Sequence, residues 1–387
     1  MVFLAGARRV GKTTLADLIG ESFVNQAYMN WEIPQDRTRL IRSPAFFEEL
    51  ERRDDSTPLI VLDEINRHRG WRKYVKGAYD RTEGDYQFLL ISSSRMDSPQ
   101  RRGDSLAGRY YLLTLWPFTQ AELGKANRPW REFFENPLHV SMERQGELRE
   151  IWQGIGEHSG FPEPFLSGRT TAYRRWSNAY AGQLIREDMR DLTGIKALAE
   201  LETLYHLLPA QVGQLLSVPA LAQGLQVAYN TVRSWLGTLQ RFFTVFSLSP
   251  WSRGVPRAIR EGQKVYLADV PRVRETGARF ENAVAVELMR AVTSWTELGY
   301  GRFGLHFIRT KDQHEVDFVL VDDGRPVLLV EAAFEAQQPS PALIRFQDAL
   351  RIPAVQLVGA AEGYRRFPND GQTIVIAPAA QYLAGLP

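Results

Sequence analysis

Eight residues near the start of the chain, Gly6-Ala7-Arg8-Arg9-Val10-Gly11-Lys12-Thr13, narrow the possible folds more than any other stretch. They follow the pattern glycine, four variable residues, glycine, lysine and a hydroxyl residue. That pattern cradles phosphate when a strand precedes it and a helix follows. Both neighbours are present: Val2-Phe3-Leu4-Ala5 is a short apolar run of buried-strand character, and Leu15, Leu18 and Ile19 recur at helical spacing. Gly6 and Gly11 let the backbone curl its N–H groups around phosphate oxygens, and the helix N-terminus favours negative charge. In that geometry Lys12 holds the β- and γ-phosphates and Thr13 holds Mg²⁺. Ala7, Arg8, Arg9, Val10 and Thr14 complete the expected contacts of a nucleoside triphosphate.

A chain of 387 residues predicts two or three domains, each able to bury its own core. There are no cysteines, which excludes disulfides, thiolate metal sites and cysteine catalysis, and fits a reducing compartment. Met1 leads straight into the first strand without a signal-peptide pattern, and no apolar run approaches membrane-spanning length. The expectation is a cytoplasmic protein with no membrane partner. The net charge of +2 names no partner. The stretch from Arg67 to Lys76 is basic with interleaved aromatics, and Arg95 to Arg109 is Arg-rich. Each suits either a polyanion or a solvated helix face.

Further along, Tyr28-Met29-Asn30-Trp31 reads as a second strand and Pro44 to Glu51 as a helix. Leu59-Ile60-Val61-Leu62 then ends in Asp63-Glu64, a buried parallel strand whose carboxyl end meets the phosphate site. Asp63 can hold Mg²⁺ through water beside Thr13, and Glu64 can orient and deprotonate the attacking water. Phe88 to Ile91 repeats the arrangement and ends in Ser92-Ser93-Ser94. Ser93 and Ser94 are candidates to touch the γ-phosphate or the water, the alternative being capping serines. Arg109 immediately precedes another strand, Tyr110 to Leu115.

The strings Gly6 to Leu15, Leu62-Asp63-Glu64-Ile65-Asn66, Trp71 with Lys76 to Asp80, and Asp104 to Tyr110 resemble one bacterial and archaeal family. Its members are AAA-type ATPases that carry a C-terminal domain of unknown function with a restriction-endonuclease-like fold. The likeness continues through Trp116 to Thr119, Gly160 to Glu163, and Arg186-Glu187-Asp188, and covers nearly the whole chain. It implies ATP and Mg²⁺ as cofactors, the sensor position at Ser93 and Ser94, and a homo-oligomeric ring, six subunits being one size. It also implies that Arg109 is an arginine finger reaching a neighbouring subunit's nucleotide, with Arg101 and Arg102 as rivals and an exposed structural arginine as the alternative. Family members carry a helical segment ahead of the first strand. The expectation is that the native start lies upstream or that base recognition differs.

The fold class expected is α/β: an AAA-type P-loop parallel sheet in residues 1–124, a helical lid in 125–210, a winged helix in 211–262 and a nuclease-like α/β domain in 263–387. In the lid, Trp130, Phe133, Phe134, Leu148, Ile151, Trp152, Trp176 and Tyr180 are expected core, with a break at Gly160 to Pro164. In the third segment, Pro219 to Ala222 starts one helix, Gly224 to Tyr229 turns, and Asn230 to Leu236 begins a second. Leu221, Leu225, Val232, Leu236 and Leu239 form its core. The β-rich run Phe243 to Leu248 completes a winged helix. Tyr229, Asn230, Thr231, Arg233 and Ser234 would then face DNA, and Arg253, Arg257 and Arg260 its phosphates, the alternative being protein contact alone.

The tail resembles the PD-(D/E)xK nuclease fold, and the resemblance implies metal ligands at Asp317, Glu331 and Glu281. The lysine expected two residues after Glu331 is replaced by Ala333, so cleavage is expected to be silent unless Lys311 substitutes in space. Together these features predict Mg-dependent ATP hydrolysis coupled to DNA binding or remodelling. A nucleotide-gated protein-interaction regulator of defence or toxin control, and more weakly a Mg-dependent nuclease, are the alternatives.

Overall fold

Five strands build the first sheet: β1 (Val2–Gly6), β2 (Gln26–Asn30), β3 (Leu59–Asp63), β4 (Gln87–Ser92) and β5 (Tyr111–Leu115). All pair parallel in the order β2-β3-β4-β1-β5, so every carboxyl end lies on one edge. The computed structural model describes residues 1–82, 84–95, 106, 108–125, 128–190, 195, 197–253, 255, 258–259, 261–359 and 361–387. These residues divide into two compact units, 1–116 with 241–243, and 117–240 with 244–387. Arg101, Arg102, Arg257 and Arg260, singled out above, lie outside the described residues.

Period-two alternation gives the first sheet two apolar faces. Phe3, Ile60, Leu62, Phe88 and Leu90 pack with Phe46, Phe47, and with Trp71 and Val75 of helix α3 (Trp71–Thr82); the first two helices are α1 (Lys12–Gly20) and α2 (Pro34–Arg42). Leu4, Leu59, Val61, Leu89 and Ile91 pack with Ala16 of α1, flanked by Leu15 and Ile19. Leu18, expected on the same stripe, is 57% exposed. It stands two residues from Ala16, nearly half a turn round the helix. The helix expected over Pro44 to Glu51 is only a 3₁₀ turn, Phe46–Glu49. The real helix, α2, buries Leu40 alone and so shows no apolar period. In the basic stretch Trp71 is core and Arg69 and Lys73 are exposed.

The second unit holds an eight-stranded mixed sheet: β6 (Val245–Pro250), β7 (Lys264–Leu267), β8 (Phe303–Arg309), β9 (Glu315–Asp322), β10 (Arg325–Ala332), β11 (Ala354–Val358), β12 (Arg365–Asn369) and β13 (Gln372–Pro378). Its order is β12-β13-β11-β10-β9-β8-β6-β7. Before it come α4 (Gln120–Gly124), α5 (Trp130–Glu135), α6 (Gln145–His158), α7 (Pro162–Ser167), α8 (Thr170–Gln183), α9 (Leu198–Leu207), α10 (Val218–Leu225) and α11 (Tyr229–Arg241). Helix α12 (Thr276–Glu297) packs on β7, β8, β9 and β10. Leu343 and Phe346 of α13 (Pro341–Leu350) cover Val319, Val321 and Leu329.

Two sequence expectations differ from what is found here. The helices read as a lid belong to the second unit, where Leu148 of α6 packs on Ala380 and Ala384 of α14 (Ala379–Ala384). The buried Gln120 fixes that arrangement, its N–H donating to Glu287 Oε1 at 2.8 Å and its amide to the carbonyls of Leu148 at 2.7 Å and Ala380 at 3.1 Å. The strand pair after α11 is not a separate wing either. Val245 of β6 pairs antiparallel with Leu267 of β7, and Ser249 and Pro250 pair parallel with His306 and Phe307 of β8. One sheet therefore runs across the boundary expected between 262 and 263.

Candidate nucleotide site and a second acidic centre

The loop after β1 owes its shape to two glycines. A Cβ on Gly6 would stand 2.4 Å from the Leu115 carbonyl oxygen of the neighbouring strand, a contact no side chain tolerates. Gly11 caps α1 with φ of 101°, in the left-handed region where glycine costs least. Ala7 and Val10 point inward and are buried, Arg8 is half-buried and Arg9 is exposed. Lys12, the first helical residue, is buried and folds its Nζ onto the carbonyls of Gly6 at 3.0 Å and Ala7 at 2.7 Å. Thr13 and Thr14 are exposed on the first turn.

The parallel register brings the end of β3 to the same edge. Thr13 Oγ1 donates to Asp63 Oδ2 at 3.4 Å, and the Tyr28 hydroxyl on β2 donates to that same oxygen. Burial pushes the Asp63 carboxyl up, against the pull of Tyr28, Lys12 and Thr13. Glu64 leaves the strand with φ of 53°, a left-handed backbone seldom held by a non-glycine residue and concentrated at functional sites. Its Oε1 accepts the Ser93 N–H at 2.7 Å, while Oε2 lies 3.8 Å from Arg67 Nε. Burial raises the Glu64 carboxyl too, opposed chiefly by Lys12. Arg67 Nη2 in turn meets Glu32 at 2.8 Å.

Of the two expected sensor serines, Ser94 Oγ accepts from Asn66 Nδ2 at 3.3 Å. Ser93 Oγ and Glu64 Oε2 are buried oxygens without a hydrogen-bond partner. Unsatisfied buried oxygens beside a hydroxyl and a carboxylate are a hard-donor set of the kind Mg²⁺ prefers, next to a loop shaped for phosphate. The residues fit a bound Mg-nucleotide.

Arg109 lies elsewhere. Tyr111 of β5 pairs with Val2, so Arg109 precedes the amino edge of the sheet, opposite the edge that carries Gly6, Asp63 and Ser92. Its Nε donates to Asp80 Oδ1 at 2.7 Å near the end of α3.

In the second unit, α10 and α11 meet through Gln226, whose φ of 54° ends α10, within the stretch Gly224 to Tyr229 where the turn was expected. Val232, Trp235, Leu236 and Leu239 are buried. Tyr229, Asn230, Arg233 and Ser234 are exposed on the first turns of α11, and Thr231 is half-buried.

The three acids read as nuclease ligands do converge, but not on an open site. Lys264 of β7 has a wholly buried side chain, with Nζ 3.3 Å from Glu281 Oε1, 3.6 Å from Asp317 Oδ1, and paired to Glu315. A lysine from outside the expected position thus stands with these acids. Lys311 is exposed in the turn between β8 and β9. Burial pushes the Asp317 carboxyl well above its usual range and Glu331 up to about 7.

Comparison with known proteins is informative at this point. Residues 1–124 match the family model of an AAA domain. The amino-terminal region is similar to AAA domains. Residues 151–271 and 276–382 match two domains of unknown function, DUF8612 and DUF4143. The uncharacterized proteins Rv2008c of Mycobacterium tuberculosis and Mb2031c of Mycobacterium bovis are each 26% identical over 403 aligned residues, covering 99% of this chain and 81% of theirs. A chain in the structure of Drosophila ORC bound to DNA is 14% identical, with 68% of this chain and 85% of that one covered and a TM-score of 0.28. The structure of C. elegans PCH-2 is 12% identical, covering 61% and 60%, at a TM-score of 0.22. Among the described residues no helix is long and apolar enough to cross a membrane.

Within the AAA domain the sequence reading missed Tyr28 and Ser92. Ser92 Oγ donates to the Ser94 carbonyl at 2.8 Å and accepts its N–H at 3.1 Å, fixing the turn that presents Ser93. Lys264 was missed as well, although a lysine inside the buried strand Lys264-Val265-Tyr266-Leu267 was a visible signal. A charge there needs partners.

Proposed function

We propose that the chain is a Mg-dependent ATP hydrolase of the AAA type, acting as a homo-oligomer and coupled to DNA. The observation that carries this reading is the convergence of Lys12, Thr13, Asp63 and Glu64 on one edge of the parallel sheet. Lys12 would exchange its loop carbonyls for phosphate oxygens, while Thr13 and Asp63 hold the cation. Mg²⁺ supplies charge neutralisation at the phosphates. Glu64, fixed through Oε1 by the Ser93 N–H, keeps Oε2 for the attacking water. Ser93 and Ser94 lie near enough in sequence and space to report on the γ-phosphate. Arg109 stands at the other sheet edge, so a role at a nucleotide requires a neighbouring subunit's, which is why the reading includes an oligomer.

DNA is the partner favoured for α11, because its exposed first turns carry Tyr229, Asn230, Arg233 and Ser234 above a buried core. The test is ATP turnover with and without single-stranded, duplex and branched DNA. Stimulation by one of these forms that Arg233→Glu removes, with the unstimulated rate intact, supports the coupling. Turnover indifferent to all three would make the second unit a protein-binding device.

A further inference from the structure

The nuclease-like resemblance implies a divalent cation among Glu281, Asp317 and Glu331, but Glu281 and Asp317 are engaged by the protein itself, and of the three acids Glu331 alone has a buried oxygen, Oε2, without a hydrogen-bond partner. Glu281 Oε1 accepts the Tyr266 hydroxyl at 2.7 Å and faces Lys264 Nζ at 3.3 Å. Asp317 Oδ2 accepts the Ala332 N–H at 3.0 Å, and its Oδ1 faces the same ammonium at 3.6 Å. Glu315 spends both oxygens on cations, one on Lys264 and the other on Arg309 Nη1 at 2.8 Å. Among the described residues no group of three or more acids, histidines or cysteines is disposed to hold a metal ion.

We infer that Lys264 is the resident cation of this centre and stands in place of a divalent ion, tying β7 to α12 and β9. A Mg²⁺-like ion needs several oxygens at about 2.0–2.1 Å in near-octahedral array. Here the oxygens are set at ammonium distances around a fully buried Nζ, and a second cation beside it would be repelled at low dielectric. Strand register explains why the lysine arrives. Residues two apart on β7 face the same way, so Lys264 and Tyr266 enter the centre together. The inference is independent of the ATPase reading, because none of these residues belongs to the AAA domain.

The test counts tightly bound Mn²⁺ by electron paramagnetic resonance on nucleotide-free protein. The parent and Asp317→Asn are expected to bind equal numbers. Lys264→Ala is expected to gain one equivalent that is lost again in Lys264→Ala with Asp317→Asn, and its thermal midpoint is expected to rise on adding Mn²⁺ while the parent's does not. If Lys264→Ala precipitates, Lys264→Met fills the same volume without the charge and takes its place. A Mn²⁺ equivalent present in the parent and absent in Asp317→Asn would overturn the inference, since lysine and metal would then share the centre. So would a charge-free variant that gains no site.

Discussion

Glu64 shows how much of a candidate site can rest on one side chain. The left-handed backbone turns its carboxylate back toward Ser93, and only the side chain's far oxygen is left for chemistry. Arg67 lies 3.8 Å from that oxygen, is shared with Glu32, and is therefore placed to position it. Arg67→Ala is expected to leave ATP affinity within about threefold and to slow turnover roughly tenfold, the size of a lost charge contact, with partial recovery in Arg67→Lys. A fall in affinity equal to the fall in rate would place Arg67 in binding instead. Glu287 poses a different residue-level problem. It is fully buried, and burial pushes its carboxyl up to about 7 from 4.5 against the pull of Arg290 and the Gln120 N–H. The folded chain thus holds this proton more tightly than the unfolded chain. The stability gained is complete below about pH 4.5 and is lost as pH rises towards about 7. Glu287→Gln should flatten that dependence. Relative to the parent, it should gain up to about 3 kcal/mol between pH 4.5 and 8 in urea unfolding. An unchanged pH dependence would mean that Glu287 is not the group responsible. Residues whose placement follows from adjacent letters, Lys12, Thr13, Asp63 and Glu64, were legible in the sequence. The partners of Tyr28, Gln120 and Lys264 were not, because strand register and helix packing bring them from far along the chain.

At the scale of elements, the rule that polar residues follow a buried strand located both β3 and β4, and the glycines located the loop between β1 and α1. Gly6 is constrained by β5 as well as by phosphate, since a Cβ would meet the Leu115 carbonyl. Gly6→Ala is therefore expected to destabilise the AAA domain by about 1–3 kcal/mol even without nucleotide, as overpacking does. A melting point equal to the parent's would show that β1 and β5 can separate freely. What the apolar pattern could not reveal were elements without an apolar period. Helix α2 buries one residue, and β12 runs along an edge with exposed Arg365, Arg366 and Pro368. The strand pair β6–β7 was visible as strands, but its membership of the larger sheet depends on two residue pairs with β8.

At the scale of the whole molecule, two units carry two acidic centres of opposite character. One is hydroxyl- and carboxylate-lined beside a phosphate-shaped loop, and the other is filled by its own lysine. The position of Arg109 makes a claim about assembly. Arg109→Ala is expected to keep ATP affinity and lose turnover by roughly a thousandfold, the range of an arginine finger. Mixing it with Glu64→Gln should restore part of the rate, since the two defects lie on opposite sides of a shared site. No recovery, with a rate independent of protein concentration, would mean that each chain works alone. The most direct measurement is ATP binding and turnover by the parent and by Glu64→Gln, side by side in Mg²⁺. The account predicts that both bind ATP about equally and that the variant turns over at least about a hundredfold more slowly, as loss of a general base entails. Equal turnover by the two, or a parent that binds no ATP, would contradict it.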